Sequence, residues 1–391
     1  MPFVTRAGTR LWWRADGLND RPALLLLNSI GTTHALWDAV VPRLLPDYYV
    51  LRMDARGHGA SDAPAGDYTL GMLAADAVVV LDAAGATRAA VCGISLGGMV
   101  ALQLALVAPD RVTHLVPVCT SAALDPASWT ARIAAIGAGG MAAIADMAIG
   151  RFFSDTFRAH HPEVVAGTRA ALLAQDPEGY CGCAAAIRDM DLLAALPHIA
   201  APTLVVAGSR DISTPFEGHG ARIVGAIPGA AARMLDTAHL PALEAPAALA
   251  GVIVGFLRAD AAVQGARAVL YEAGLARRRE ILGDAWVDQS LRKRTDFTAD
   301  YQDFITRIAW QEIWRRPGLD PRTRRLLVVA ITASLARWEE FRLHVRSGLA
   351  QGGFTLDELK EVLMQTAIYA GVPAANTAFA EAAEIREGLL F

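Results

Sequence analysis

Over the first 258 residues, short uninterrupted apolar runs alternate with longer segments of helical pattern. The runs predict strands at residues 9–14, 23–28, 48–53, 89–92, 115–119, 203–207 and 231–235. Several are apolar throughout, as strands buried on both faces of a parallel sheet are. Helical segments separate most of them, so the pattern predicts a mostly parallel, doubly wound α/β sheet. Between about 122 and 196 the strand pattern stops. That stretch is alanine-rich and helical, with breaks at 137–140 and Pro162. It predicts a helical cap over the carboxyl edge of the sheet, where such sheets bind ligands. A helix around 247–257 closes this first domain, 1–258, and 259–265 reads as a linker.

From 265 to 391 strand signals disappear and an all-α domain is predicted. Asp320 before Pro321 supplies an N-cap followed by proline at the first helical position. The stretch 322–348 reads as one helix. Gly352, Gly353 and Gly371 stop helices, Thr355 with Glu358 forms a capping box, and Pro373 starts the last helix.

A chain of 391 residues exceeds one ordinary domain, in keeping with this division. The net charge of −4 predicts no general attraction to nucleic acid. Four cysteines (Cys92, Cys119, Cys181 and Cys183) make no CxxC pair and read as small buried thiols of a reducing compartment. The uncharged run 89–109 is long enough to cross a bilayer, but Gly-Ile-Ser-Leu-Gly-Gly interrupts it and a buried strand–turn–helix explains it better. The first residues carry arginines and no apolar core of signal length. A cytoplasmic protein without membrane or nucleic-acid partners is expected.

That strand–turn–helix carries the chemistry. Val91-Cys92-Gly93-Ile94-Ser95-Leu96-Gly97-Gly98 puts a serine between glycines where an apolar run meets a helix, the setting of a nucleophile elbow. Serine needs a base held in the correct tautomer, and in this architecture the chain order is serine, acid, histidine. Asp211 follows the strand 203–207 and His239 follows the strand ending at 235, so both fall on carboxyl-edge loops with Ser95. Asp125 is the rival acid, and His58 reads as structural. The oxyanion hole requires two backbone N–H groups. Leu96 supplies one, and Ile30 in the loop after 23–28 supplies the other.

These residues resemble the α/β-hydrolase superfamily. Asn28-Ser29-Ile30-Gly31-Thr32, Trp37-Asp38, Asp54 to Gly59 and Asp176-Pro177-Glu178-Gly179-Tyr180 are similar to 3-oxoadipate enol-lactonases. Trp129 and Arg132, near the cap entrance, are candidate substrate contacts, and Arg188 is a weaker one.

In the helical domain Glu340 and His344 stand four apart, on one helix face, where a carboxylate can orient an imidazole for proton transfer. Read from spacing alone, a solvated i,i+4 pair is the favoured reading. The segments 337–345, 361–367 and 369–379 resemble 4-carboxymuconolactone decarboxylases. Members of that family carry cysteine where this chain has Ala370 and histidine where it has Ala380, so neither position is assigned a role. The resemblance makes His344 the candidate acid, oriented by Glu340. Five arginines (Arg322, Arg325, Arg337, Arg342, Arg346) are available for substrate carboxylates, with Arg337 taken as the candidate. The implied chemistry uses no cofactor and no metal, because the unsaturated lactone carbonyl itself accepts the electrons released with CO2.

Together the resemblances imply a bifunctional enzyme of protocatechuate catabolism acting on small lactone dicarboxylates. The family also implies a homo-oligomer formed through the C-terminal domain. The alternative is a carboxylic-ester hydrolase whose helical domain serves only for assembly.

Overall fold

The computed structural model describes residues 3–351 and 353–389. Gly352, one of the expected helix stops, lies outside the described residues. The chain divides into two compact units, 1–258 and 259–391.

The first unit is built on an eight-stranded sheet: β1 (Phe3–Arg6), β2 (Thr9–Asp16), β3 (Ala23–Leu27), β4 (Tyr49–Met53), β5 (Ala89–Ile94), β6 (Val112–Val118), β7 (Leu204–Gly208) and β8 (Ala231–Leu235). Their spatial order is 1-2-4-3-5-6-7-8. β1 and β2 pair antiparallel, β2 pairs antiparallel with β4, and the remaining pairs are parallel. Leu24, Leu25, Leu26, Val91, Cys92 and Val116 have no exposed surface, because helices cover both faces of the central strands. β1 has no counterpart among the expected strands. Its positions alternate between exposed and half-buried at the sheet edge, without an apolar run to announce it.

Between β6 and β7 the chain forms the expected cap, as five helices: Pro126–Gly139, Ala142–Phe152, Asp155–His160, Pro162–Leu173 and Pro177–Arg188. The helix that begins at Pro246 buries Leu249, Ile253 and Leu257 in the core of this unit. Residues 259–265, expected as a linker, are part of that helix, Pro246–Leu282. Ala259, Ala262 and Ala266 favour the helical state there.

The second unit is helical throughout its described residues. Its helices include Asp284–Arg292, Asp296–Ile305, a wider π-helical stretch Thr306–Ile313, Pro321–Ser334, Trp338–Ala350, Leu356–Tyr369 and Val372–Leu389. Asp320 caps its helix by accepting the Thr323 N–H, and Thr355 and Glu358 form the capping box. The single helix expected over 322–348 is two helices. Ala336 adopts φ 52° and turns the chain between Ser334 and Trp338.

Candidate active sites

Ser95 stands between β5 and the helix Leu96–Val107 at φ 55°, ψ −116°, a conformation that costs a non-glycine residue strain. The turn closes because its neighbours lack Cβ atoms. One on Gly93 would lie 2.1 Å from the Gly97 carbonyl oxygen, and one on Gly97 would lie 2.3 Å from the Leu27 carbonyl oxygen. The β6 side clamps the elbow. Ser95 N–H donates to the Val118 carbonyl at 2.9 Å, and the Thr120 hydroxyl donates to the Ser95 carbonyl at 2.7 Å.

Asp211 and His239 come from the loops after β7 and β8. His239 Nδ1 lies 2.9 Å from Asp211 Oδ2, which also accepts the Thr214 hydroxyl at 2.8 Å. Asp211 Oδ1 accepts the N–H groups of Ser213 and Thr214. Burial pushes the carboxyl pKa up, but His239 and these donors outweigh it and hold it below the ordinary value. An ionised Asp211 keeps a proton on His239 Nδ1 and leaves Nε2 as the base. Phe152 stacks on the buried imidazole at 6.2 Å. Ser95 and His239 line one cavity of about 260 Å³, together with Ile30, Trp129 and Arg132.

Leu96 opens its helix, so its N–H has no helical acceptor. Ile30 lies in a loop tied down at several points. Trp37 Nε1 donates to Asn28 Oδ1 at 3.1 Å, Asn28 Nδ2 donates to the Met53 carbonyl at 2.6 Å, and Gly31 N–H donates to His58 Nε2 at 2.9 Å. His58 is therefore a neutral acceptor inside the fold, and burial lowers its pKa to about 4. Asp125 caps the helix Pro126–Gly139, accepting the N–H groups of Ala127 and Ser128 and the Ser128 hydroxyl. It lines the cavity and makes no hydrogen bond to His239 among the described residues.

The Arg132 guanidinium lies over the Trp129 ring at 4.2 Å. Its polar partners are the Tyr180 hydroxyl at 3.4 Å and Met147 sulfur at 3.5 Å, both neutral. Arg151 lines the same cavity from the helix Ala142–Phe152. Neither arginine has an acidic partner among the described residues. Nothing in the alanine-rich pattern around Arg151 distinguishes its direction, so the sequence does not announce it. Arg188 is paired with Asp67 and Asp189, which occupy it.

In the helical unit His344 is buried, and its ring stacks on Trp314 at 6.0 Å with 5° between the planes. Trp314 in turn stacks on Trp310. His344 Nδ1 has no hydrogen-bond partner among the described residues. Glu340 is exposed and makes no hydrogen bond to His344 among the described residues, so the expected orienting pair is not formed here. Four residues advance a helix by 400°, which leaves the two side chains about 40° apart around the axis. Here that separates solvent from core.

The arginine beside His344 is Arg325. It is 4% exposed and donates to Ser347 Oγ at 3.1 Å, the Ile281 carbonyl at 2.7 Å and Gln351 Oε1 at 2.9 Å. None of these is a carboxylate. Arg337 is the exposed N-cap residue of the helix Trp338–Ala350. Arg342 pairs with Glu381 and Arg322 with Glu358. Burial first, and the Arg325 charge second, lower the His344 pKa to about 4.

Residues 22–160 match the alpha/beta hydrolase fold family, and residues 299–384 match the carboxymuconolactone decarboxylase family. The chain is 33% identical over 247 residues to 3-oxoadipate enol-lactonase 2 of Acinetobacter baylyi, covering 63% of this chain and 92% of that protein. It is 44% identical over 119 residues to the 4-carboxymuconolactone decarboxylase of the same organism, covering 30% of this chain and 88% of that protein. The enol-lactonase structure from Burkholderia xenovorans LB400 matches with a TM-score of 0.64 at 34% identity, over 66% of this chain and all (100%) of that one.

Proposed function

The chain belongs to the 3-oxoadipate enol-lactonase family of α/β hydrolases in its first unit and to the carboxymuconolactone decarboxylase family in its second, and we infer that it performs their two reactions in succession. It is a bifunctional enzyme of the β-ketoadipate pathway. It decarboxylates 4-carboxymuconolactone to 3-oxoadipate enol-lactone and hydrolyses that lactone to 3-oxoadipate. The observation that carries this reading is the joining, in one polypeptide, of relatives of two enzymes of which one makes the other's substrate.

In the hydrolase unit Ser95 Oγ attacks the lactone carbonyl while His239 Nε2 takes its proton. The N–H groups of Ile30 and Leu96 receive the negative charge that develops on the carbonyl oxygen. The ring oxygen leaves as an enol, protonated by His239. Water activated by His239 then releases 3-oxoadipate from Ser95. Arg132 and Arg151, both without acidic partners among the described residues, hold the substrate carboxylate.

In the helical unit the carboxylate leaving as CO2 sits γ to the lactone carbonyl. Its electrons pass through the C=C bond to that oxygen, giving a dienolate that is protonated at the α carbon. Arg325 grips a substrate carboxylate. An anion there offsets the Arg325 charge, the smaller of the two causes that depress His344, and so favours the imidazole as the proton donor to the dienolate. The same unit exposes Phe297, Ile368 and Tyr369 by 95%, 76% and 82%. Apolar exposure of that extent supports assembly of several copies through this unit. The enzyme is cytoplasmic, where its four free thiols stay reduced.

The test is purified enzyme with 4-carboxymuconolactone. Equal amounts of CO2 and 3-oxoadipate are expected. Lactone hydrolysis without CO2 release would leave the helical unit as an assembly module.

A further inference from the structure

The hydrolase cavity holds a second imidazole that the triad does not use. His219 lines it with Ser95 and His239. Its Nδ1 lies 2.9 Å from Ser121 Oγ. That hydroxyl lies 2.6 Å from the Ala123 carbonyl oxygen and accepts the Ala123 N–H at 3.2 Å. A hydroxyl has one proton and a carbonyl has none, so the Ser121 proton is committed to Ala123. His219 Nδ1 is then the donor to Ser121, and the neutral ring carries its free lone pair on Nε2. No group among the described residues donates to that nitrogen. Ser121 is 2% exposed, so the anchor that sets the tautomer and the ring orientation is itself shielded. Burial lowers the pKa of His219, assisted by Arg222 and opposed by Asp211, which keeps the ring neutral at pH 7.

An acceptor in this cavity has no partner on the substrate. A lactone bearing a carboxylate offers only acceptors: carbonyl oxygen, ring oxygen and carboxylate oxygens. Ring opening creates the first donor, the enol O–H. We propose that His219 catalyses conversion of this enol to the ketone while the acyl group is still on Ser95; the proposal rests on the enol-lactonase reading. Nε2 takes the enol proton as the C=O bond forms. The electron pair of the C=C bond then takes that proton from Nε2 at the adjacent carbon. One proton moves from oxygen to carbon, His219 returns to its starting state, and nothing is oxidised or reduced. The step has a use. The enol oxygen is the nucleophile of the reverse reaction, so converting it to a ketone commits the acyl-enzyme to hydrolysis.

Time-resolved infrared spectroscopy follows the lactone and ketone carbonyl bands in one reaction, using the full chain and 3-oxoadipate enol-lactone. In the wild type the ketone band should rise as the lactone band falls. In His219→Gln the lactone band should still fall, with the ketone band lagging. The lag should be about a hundredfold or more, the range of general acid–base catalysis. Ser121→Ala keeps the imidazole but frees its tautomer, and should give a shorter lag. Ketone appearance in step with lactone loss in both variants overturns the proposal. So does slowing of both bands together in Ser121→Ala, which would place the pair in ring opening. A wild type that does not open the lactone instead overturns the underlying enol-lactonase reading.

Discussion

Replacing His58 with leucine isolates the support of the oxyanion loop. Gly31, next to Ile30, donates its N–H to His58 Nε2 at 2.9 Å, and His58 is 2% exposed, so water cannot replace the lost acceptor. A buried amide left unpaired costs about 1–3 kcal/mol. The loop either bears that cost or moves to relieve it. Movement turns the Ile30 N–H away from the developing oxyanion, and losing one such donor costs about a hundredfold to a thousandfold in kcat. Because the oxyanion exists only in the transition state, KM should change by less than about threefold. Leucine also removes a titration. Burial lowers the His58 pKa from 6.5 to about 4, so between those values the unfolded chain binds a proton that the folded chain does not. The stability from keeping this ring neutral is full above pH 6.5 and is lost as the pH falls toward 4, about 3 kcal/mol in all. The hydrolase unit of His58→Leu should therefore lose less stability than the wild type across that window. The assay is kcat and KM for lactone hydrolysis at pH 7, with decarboxylation by the same molecule as the control and urea unfolding at pH 7 and 5. A drop in kcat of at least about tenfold with decarboxylation intact is expected. Wild-type kcat, or an equal fall in both activities, refutes loop positioning by His58.

Thr214→Val removes the hydroxyl that shares Asp211 Oδ2 with His239, a charge-assisted bond worth about 1.5–3 kcal/mol; the Asp211 pKa should rise and the acid limb of the hydrolysis pH–rate profile should move upward. An unmoved limb would show that Thr214 does not tune the triad. Arg325→Gln should lower kcat/KM for decarboxylation by about tenfold to a hundredfold and leave lactone hydrolysis by the same protein unchanged, as separate assays of the two lactones would report. Arg151→Gln should raise KM for the carboxylated enol-lactone by about tenfold and leave hydrolysis of an enol-lactone without a carboxylate unaffected. Equal effects on both lactones would remove Arg151 from carboxylate binding.

The hydrolase unit was legible because its signals are local. Fully buried strands write themselves as apolar runs, and the residues that follow β5, β7 and β8 must share the carboxyl edge, so Ser95, Asp211 and His239 follow from chain order. β1 escaped because an edge strand with one partner needs no apolar run. Arg151 escaped because a helical pattern identifies a face without saying which cavity it turns toward. In the helical unit 322–348 reads as a single rod because no glycine or proline announces the left-handed backbone of Ala336. The five candidate arginines lie on that stretch and their spacing does not say which turn inward, so Arg325 is not distinguished from Arg337. The Glu340–His344 pair fails for a different reason: i,i+4 spacing sets proximity along a helix, while burial depends on the neighbours packed against it.

One polypeptide strips a carboxyl group and then opens the ring it has made. The product balance of Ser95→Ala supplied with 4-carboxymuconolactone tests this. One CO2 should appear for each substrate consumed, with 3-oxoadipate enol-lactone accumulating beyond its spontaneous hydrolysis. Absence of CO2, or conversion to 3-oxoadipate at the wild-type rate, would contradict it.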